Sequence, residues 1–70
     1  MKTLRFKRLT TVDQDTGDNL DGLGEKTFQR DDTVNVQEIV ETLSSNYVDL
    51  VLEDGSCAMF VPKNNFEVLT

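Results

Sequence analysis

The chain has 70 residues, a net charge of −6, one cysteine and no histidine. This length allows one domain with a small core, and such cores often gain stability from oligomerisation. A single cysteine cannot form an intramolecular disulfide, and no apolar stretch approaches the roughly 18 residues of a membrane span. The composition therefore predicts a single domain in a reducing cytoplasm, without a targeting segment or a membrane partner, and favours a homodimer.

The charges are unevenly distributed along the chain. Four of the seven basic residues lie in the first ten positions, with no acidic residue among them: Lys2, Arg5, Lys7 and Arg8. The rest of the chain contains all 13 acidic residues and only three basic ones. Such a surface repels DNA, RNA and anionic membranes and attracts proteins with basic patches. We therefore expect a basic macromolecular partner and no direct nucleic-acid binding, although solubility alone also favours an acidic composition.

The first half of the chain predicts two strands separated by a long loop. Residues 2–9 alternate so that Leu4 and Phe6 face a core. Residues 11–24 contain three glycines and four aspartates, which is typical of a loop. Residues 25–30 then predict a short strand with Phe28 facing inward.

The next segment predicts a helix. Its apolar residues have the i, i+3, i+4, i+7 spacing of one helical face: Val36, Ile39, Val40 and Leu43. Asn35 fits the N-cap, and Glu38 completes a capping box three residues later. Residues 44–46, Ser-Ser-Asn, end the helix.

The final third predicts a β-hairpin followed by a short strand. Asp54-Gly55 is a strong two-residue turn signal, and it pairs Leu52 with Cys57 on a core face. The opposite face then carries a second apolar patch, formed by Val51, Ala58 and Phe60. Pro62 interrupts the ladder, and residues 66–69 form the last strand.

The order of these elements predicts an α+β fold: a small curved or partly open antiparallel sheet of about five short strands with one helix. In residues 59–69 a strand, Pro62, a turn with Asn64-Asn65, and Phe66 precede the final strand. This arrangement resembles the end of an SH3-like barrel. The resemblance implies the shape of the domain and not a ligand.

Catalysis is not favoured by the residues present. The usual neutral-pH acid–base group and common metal ligand, histidine, is absent. The predicted register buries the thiol of Cys57 in the core, where it is protonated and inert. The acidic run 13–18 departs from a calcium loop, because Gly17 is fifth and Asp18 sixth. We therefore predict no enzymatic activity, no metal and no cofactor.

The acidic residues remain as the candidate binding surface. DNA-binding proteins match the dense phosphate charge of the duplex, so a rigid protein with rows of carboxylates can occupy the same site. The candidate partner-binding residues are Asp13, Asp15, Asp18, Asp21, Asp31, Asp32, Glu38, Glu41, Asp49, Glu53 and Asp54.

In size, acidity and lack of catalytic residues, the chain is similar to small early proteins of bacteriophages that act as DNA mimics, some of which inhibit the bacterial histone-like protein HU. The similarity implies a homodimer in the host cytoplasm whose carboxylates imitate phosphates and block a basic DNA-binding protein. The alternative is a structural or adaptor module that binds through the apolar patch of Val51, Ala58 and Phe60.

Overall fold

The computed structural model describes residues 1–15 and 24–70, which form one curved sheet of seven antiparallel strands. The strands are β1 Lys2–Phe6, β2 Thr10–Asp15, β3 Gly24–Phe28, β4 Thr33–Glu41, β5 Tyr47–Leu52, β6 Cys57–Pro62 and β7 Phe66–Val68. Their order across the sheet is β3-β2-β6-β5-β4-β1-β7. Within the described residues the helical element is a 3-10 turn at Lys63–Asn65, so the expected α+β class with one helix is wrong and the domain is nearly all β. No helix in this part of the chain is long and apolar enough to cross a membrane.

The segment predicted to be a helix forms strand β4. A β-bulge in this strand gives its apolar residues the spacing of a helix. Val34 and Val36 face inward with the two-residue period of a strand. One extra residue, Gln37, then interrupts the pairing with β5 between Val36 and Glu38, so that Ile39 is the next inward residue. The three-residue step from Val36 to Ile39 is therefore the product of a bulge. Five of the nine residues of β4 are β-branched, which favours a strand.

The residues expected at the cap and on the apolar face of the helix have other positions in the structure. The Asn35 side chain accepts a hydrogen bond from the Thr3 hydroxyl at 2.8 Å, across the β1–β4 pair. Leu43, expected on the apolar face of the helix, is fully exposed in the loop between β4 and β5. The Thr42 hydroxyl organises this loop by donating to the Tyr47 carbonyl at 2.9 Å.

The expected loop at 11–24 is partly a β-hairpin. Residues 11–15 belong to β2, and Gly24 opens β3, which pairs with β2. Thr10 and Val12 are buried and alternate with exposed residues, which is the pattern of a strand with one face on a core. The predicted loop is wrong for these positions, and its remaining residues, 16–23, lie outside the described ranges.

The hairpin between β5 and β6 has a three-residue turn, Glu53–Gly55, instead of the predicted two-residue turn. The Gly55 N–H donates to the Leu52 carbonyl at 3.0 Å, and Leu52 N–H donates to the Ser56 carbonyl at 2.7 Å. Gly55 has φ of 91°, the left-handed conformation that follows a type I turn in such loops.

This turn moves the register of the hairpin by one residue. Leu50 pairs with Ala58, and Val51 pairs with Cys57. Because a one-residue shift exchanges the two faces of a strand, Ala58 is buried and Cys57 lies half-buried on the outer side. The predicted core position of Cys57 and outward position of Ala58 are therefore wrong.

A second bulge, at Phe60, restores the predicted register further along. Val48 pairs with Val61, as a two-residue turn would have required, because β6 contains one more residue than β5 between the two pairings. Phe60 adopts φ of 52° there, a left-handed conformation that is uncommon for an aromatic residue.

Three phenylalanines bring the two ends of the sheet together. Phe6 of β1 stacks on Phe28 of β3, with ring centroids 4.2 Å apart and planes at 3°. Phe66 of β7 lies 5.7 Å from Phe6. The core they complete is formed by the inward residues of all the strands, as predicted for Leu4, Phe6 and Phe28.

The three-residue turn predicts that Gly55→Ala destabilises the protein by about 1–2 kcal/mol, because a Cβ at positive φ is strained. A Cβ at Gly55 or at Gly24 meets no atom within 4 Å, and only Gly55 has a positive φ. Gly24→Ala is therefore the matched control and should change the free energy of unfolding little. Urea titration measures both variants, and equal stability of the two would contradict the turn geometry.

Candidate functional site

The outward side chains of β2–β6 place five acidic residues on one side of the sheet. These residues, here called the carboxylate face, are Asp13, Asp15, Glu25, Glu38 and Asp49. Strands β2, β4, β5 and β6 contain no lysine or arginine. Lys26 of β3 alternates with Glu25 and points the other way, with its Nζ 5.7 Å from the centre of the Phe28 ring. The charges on this side of the five strands are therefore all negative.

The strand registers arrange the carboxylate face in two rows. In one row Asp13 lies between Glu25 of β3 and Met59 of β6. Neighbouring strands lie about 4.8 Å apart, and residues two apart along a strand are separated by about 6.6–6.8 Å. The carboxylates of β2 and β3 are thus held at spacings fixed by the backbone.

The second row has acids at both ends and apolar residues between them. Asp15 of β2 is opposite Cys57, which is opposite Val51, which is opposite Glu38 of β4. Cys57 and Val51 are half-buried. The face therefore presents an apolar strip between carboxylates.

Asp13 and Glu25 form a directly opposed pair of like charges. They are cross-strand partners, and both are exposed. Like charges directly opposite each other destabilise a sheet, by up to about 1 kcal/mol on the scale of favourable cross-strand pairs. This position therefore lowers stability, whereas a lysine in place of either acid would raise it.

Asp49 lies in the middle of the face and supports the bulge of β6. Its Oδ1 accepts the backbone N–H of Phe60 at 2.9 Å. The carboxylate is half-buried and satisfies a donor that the bulge removes from the regular ladder. The hydrogen bond places the Asp49 carboxylate next to Phe60, a residue that is 58% exposed.

Three other predicted site residues lie away from this face. Asp31 and Asp32 form the turn before β4, where the N–H of Asp31 donates to the Phe6 carbonyl at 2.8 Å. The Asp32 carboxylate accepts the Gln29 N–H at 2.7 Å, so it stabilises the turn. Glu41 ends β4 and pairs with Lys63 at 3.0 Å.

Glu53 and Asp54 occupy the tip of the β5–β6 hairpin. The Asp54 carboxylate accepts hydrogen bonds from the Ser56 hydroxyl at 2.6 Å and the Ser56 N–H at 2.9 Å. These bonds hold the pKa of Asp54 below its usual value of 3.8. Asp18 and Asp21 lie outside the described residues.

The basic residues of the N-terminal segment lie on other parts of the molecule. Arg5 of β1 pairs with Glu67 of β7 at 2.7 Å. Lys7 and Arg8 are exposed in the turn that follows β1. None of these three cations therefore lies on the outward side of β2–β6.

Sequence reasoning missed Glu25, although its signal was present. Phe28 faces the core, and a two-residue period places Glu25 and Thr27 on the opposite side. Thr27 is the outward partner of Thr11, two residues before Asp13 on the same side of β2. Recognising β2 as a strand would have brought Glu25 next to Asp13.

The Asp54 turn predicts a local dependence of stability on pH. Because the folded state has the lower pKa, its stabilisation is complete above about 3.8 and is lost as the pH falls through the folded value. Asp54→Asn should therefore reduce the loss of stability on acidification through pH 5 to 3. Urea titration across this range measures it, with Glu53→Gln as the neighbouring control, and an unchanged pH profile in Asp54→Asn would contradict the assignment.

The left-handed conformation at residue 60 predicts an unusual order of stability. Phe60→Gly and Phe60→Ala both remove the ring, and only alanine keeps the Cβ that is strained at φ of 52°. Phe60→Gly should therefore be more stable than Phe60→Ala by about 1–2 kcal/mol. Thermal or urea unfolding compares them, and a more stable alanine variant would show that the bulge is not left-handed.

Chemically, this arrangement can bind positive charge. Carboxylates held at fixed spacings can receive lysine and arginine side chains, while the apolar strip can be covered by a partner. Among the described residues no group of three or more potential ligands is placed to hold a metal ion. In comparisons with known proteins, no protein-family model, no curated sequence and no solved structure matches this chain.

Proposed function

We propose that this protein is a non-enzymatic, acidic DNA mimic that binds a basic DNA-binding protein and blocks its DNA site. The bacterial histone-like protein HU is the first partner to test, and the setting is the cytoplasm, that of the host cell if the chain is phage-encoded. The single observation that carries the proposal is the carboxylate face. It places five negative and no positive side chains on one side of β2–β6.

The sheet gives this face two properties that a binding surface for basic proteins requires. The backbone ladder fixes the points from which the carboxylates project, so little backbone entropy is lost when a partner binds. A surface with one sign of charge also attracts an oppositely charged partner over a distance and speeds the encounter. Salt screens this attraction, so binding should weaken steeply as ionic strength rises.

The proposal predicts that the purified chain displaces DNA from HU in a gel-shift competition at low salt. The double variant Asp13→Asn/Glu25→Gln should weaken this competition by about 1–2 kcal/mol, a factor of roughly 5 to 30. Glu41→Gln/Glu53→Gln removes the same charge away from the face and is the matched control. No displacement at micromolar protein, or equal weakening in both double variants, would contradict the proposal.

The second candidate function is an adaptor that binds through apolar side chains. This function is favoured by the exposure of Phe60. Ala58 is buried, so the apolar surface consists of the strip residues Val51 and Cys57 together with Met59, and Phe60 lies at its end. Such binding survives high salt and is lost in Phe60→Ser. Sedimentation at two salt concentrations, with and without HU, distinguishes it from charge-driven binding and also gives the assembly state of the chain.

A further inference from the structure

An exposed aromatic patch lies at one end of the outer side of the sheet. Tyr47 opens β5 and is directly opposite Pro62 of β6, while Phe60 precedes Pro62 by two residues. Tyr47 is 40% exposed and Phe60 is 58% exposed. We call Tyr47, Phe60 and Pro62 the aromatic patch. Because Val48 and Val61 are buried next to it, the patch is anchored on the core while its rings face solvent.

Phe60 is kept in this place against two local preferences. Its φ of 52° suits glycine or asparagine better than an aromatic residue. Its ring also leaves more than half of its surface in water, which forgoes most of the stabilisation available from burying a phenylalanine. Both features are explained if the ring becomes covered when a partner binds.

The charges around the patch determine what kind of partner can cover it. Asp49 lies two residues after Tyr47 on the outer side of β5, and its Oδ1 is 2.9 Å from the Phe60 nitrogen. The other charged residues on the outer side of β2–β6 are also acidic. A nucleic acid could stack bases on these rings, but the carboxylates would repel its phosphates. The complementary occupant is therefore a positively charged protein segment.

We propose that the aromatic patch and Asp49 together bind an arginine side chain of the basic partner. This inference rests on the proposed function, because that function supplies the basic partner. The guanidinium group is planar, stacks on an aromatic face and pairs with a carboxylate through its N–H donors. The exposed ring of Phe60 and the carboxylate of Asp49, which accepts the Phe60 N–H, offer these two contacts from neighbouring residues. Lysine presents a compact, strongly hydrated charge and gains less from the ring, so the patch selects arginine over lysine.

Two synthetic peptides of equal length and charge test this selection, one alternating glycine with arginine and one alternating glycine with lysine. NMR titration at low salt should show the arginine peptide binding about two- to fivefold more tightly, the effect expected for cation–π contacts at exposed sites. The ring resonances of Tyr47 and Phe60 should shift. Equal affinity of the two peptides for the wild-type chain overturns the proposal.

Variants at position 60 separate the ring from the charge. Phe60→Leu keeps an apolar side chain and should abolish the preference, because the arginine peptide loses more affinity than the lysine peptide. Phe60→Tyr should retain the preference. The amide spectrum of each variant establishes that it is folded, and Tyr47→Leu provides a second variant if Phe60→Leu does not fold. A preference that survives in the folded leucine variant overturns the proposal.

The two proposals fail in different ways. Asp13→Asn/Glu25→Gln removes charge away from the patch and should weaken both peptides equally, leaving their ratio unchanged. If HU is not bound while the arginine preference is present and depends on Phe60, the function proposed for HU fails and the arginine site stands. If HU is bound equally by the wild-type chain and Phe60→Leu, the face acts by charge alone and the arginine site is overturned.

Discussion

The stack of Phe6 on Phe28 is the contact on which the rest of the molecule depends. Phe28 belongs to one edge strand of the sheet, and Phe66, the other ring beside Phe6, belongs to the opposite edge strand. Two backbone hydrogen bonds reinforce this closure, from the N–H of Asp31 to the Phe6 carbonyl and from the N–H of Phe6 to the Asp32 carbonyl. A single curved layer then encloses the core. Along each strand from β2 to β6, the side chains that face this core alternate with side chains that face outward. The carboxylate face is the outward half of that alternation.

The two bulges explain why the fold was only partly predictable. A regular two-residue period places Leu4, Phe6 and Phe28 inward, and the sequence predicted those positions correctly. At Gln37 one extra residue changes the two-residue period of the inward side chains into a spacing typical of a helix. The N-cap pattern at Asn35 and the capping-box pattern at Glu38 also indicated a helix. Such local signals favour a helix in isolation, but pairing with β1 and β5 on both sides decides the outcome. The β-branched residues of β4 favoured a strand, but the position of the bulge follows only from the long-range register.

The candidate site was likewise only partly predictable from the sequence. Charge along the sequence predicts that the domain carries an acidic surface, because this depends only on composition and order. It does not predict which acids converge, because a one-residue shift in register exchanges the faces. Asp13, Asp15, Glu38 and Asp49 meet on one side, whereas Asp32 supports a turn and Glu41 is neutralised by Lys63. The three-residue hairpin turn likewise moved Ala58 from the predicted outer patch into the core, leaving Phe60 as the exposed member.

Two features of the outer side lower stability, and both lie where a basic partner would bind. Asp13 faces Glu25 across a strand pair, and Phe60 holds an exposed ring in a left-handed conformation. The chain does use opposite-charge pairing elsewhere, since Arg5 of β1 is opposite Glu67 of β7 and forms an ion pair at 2.7 Å. A domain of 70 residues has little stability to spare, so uncompensated repulsion and strain are most readily explained by a gain outside the folded monomer. Binding of cationic side chains would neutralise the opposed carboxylates and, by covering the ring, would offset the cost of the strained backbone at Phe60.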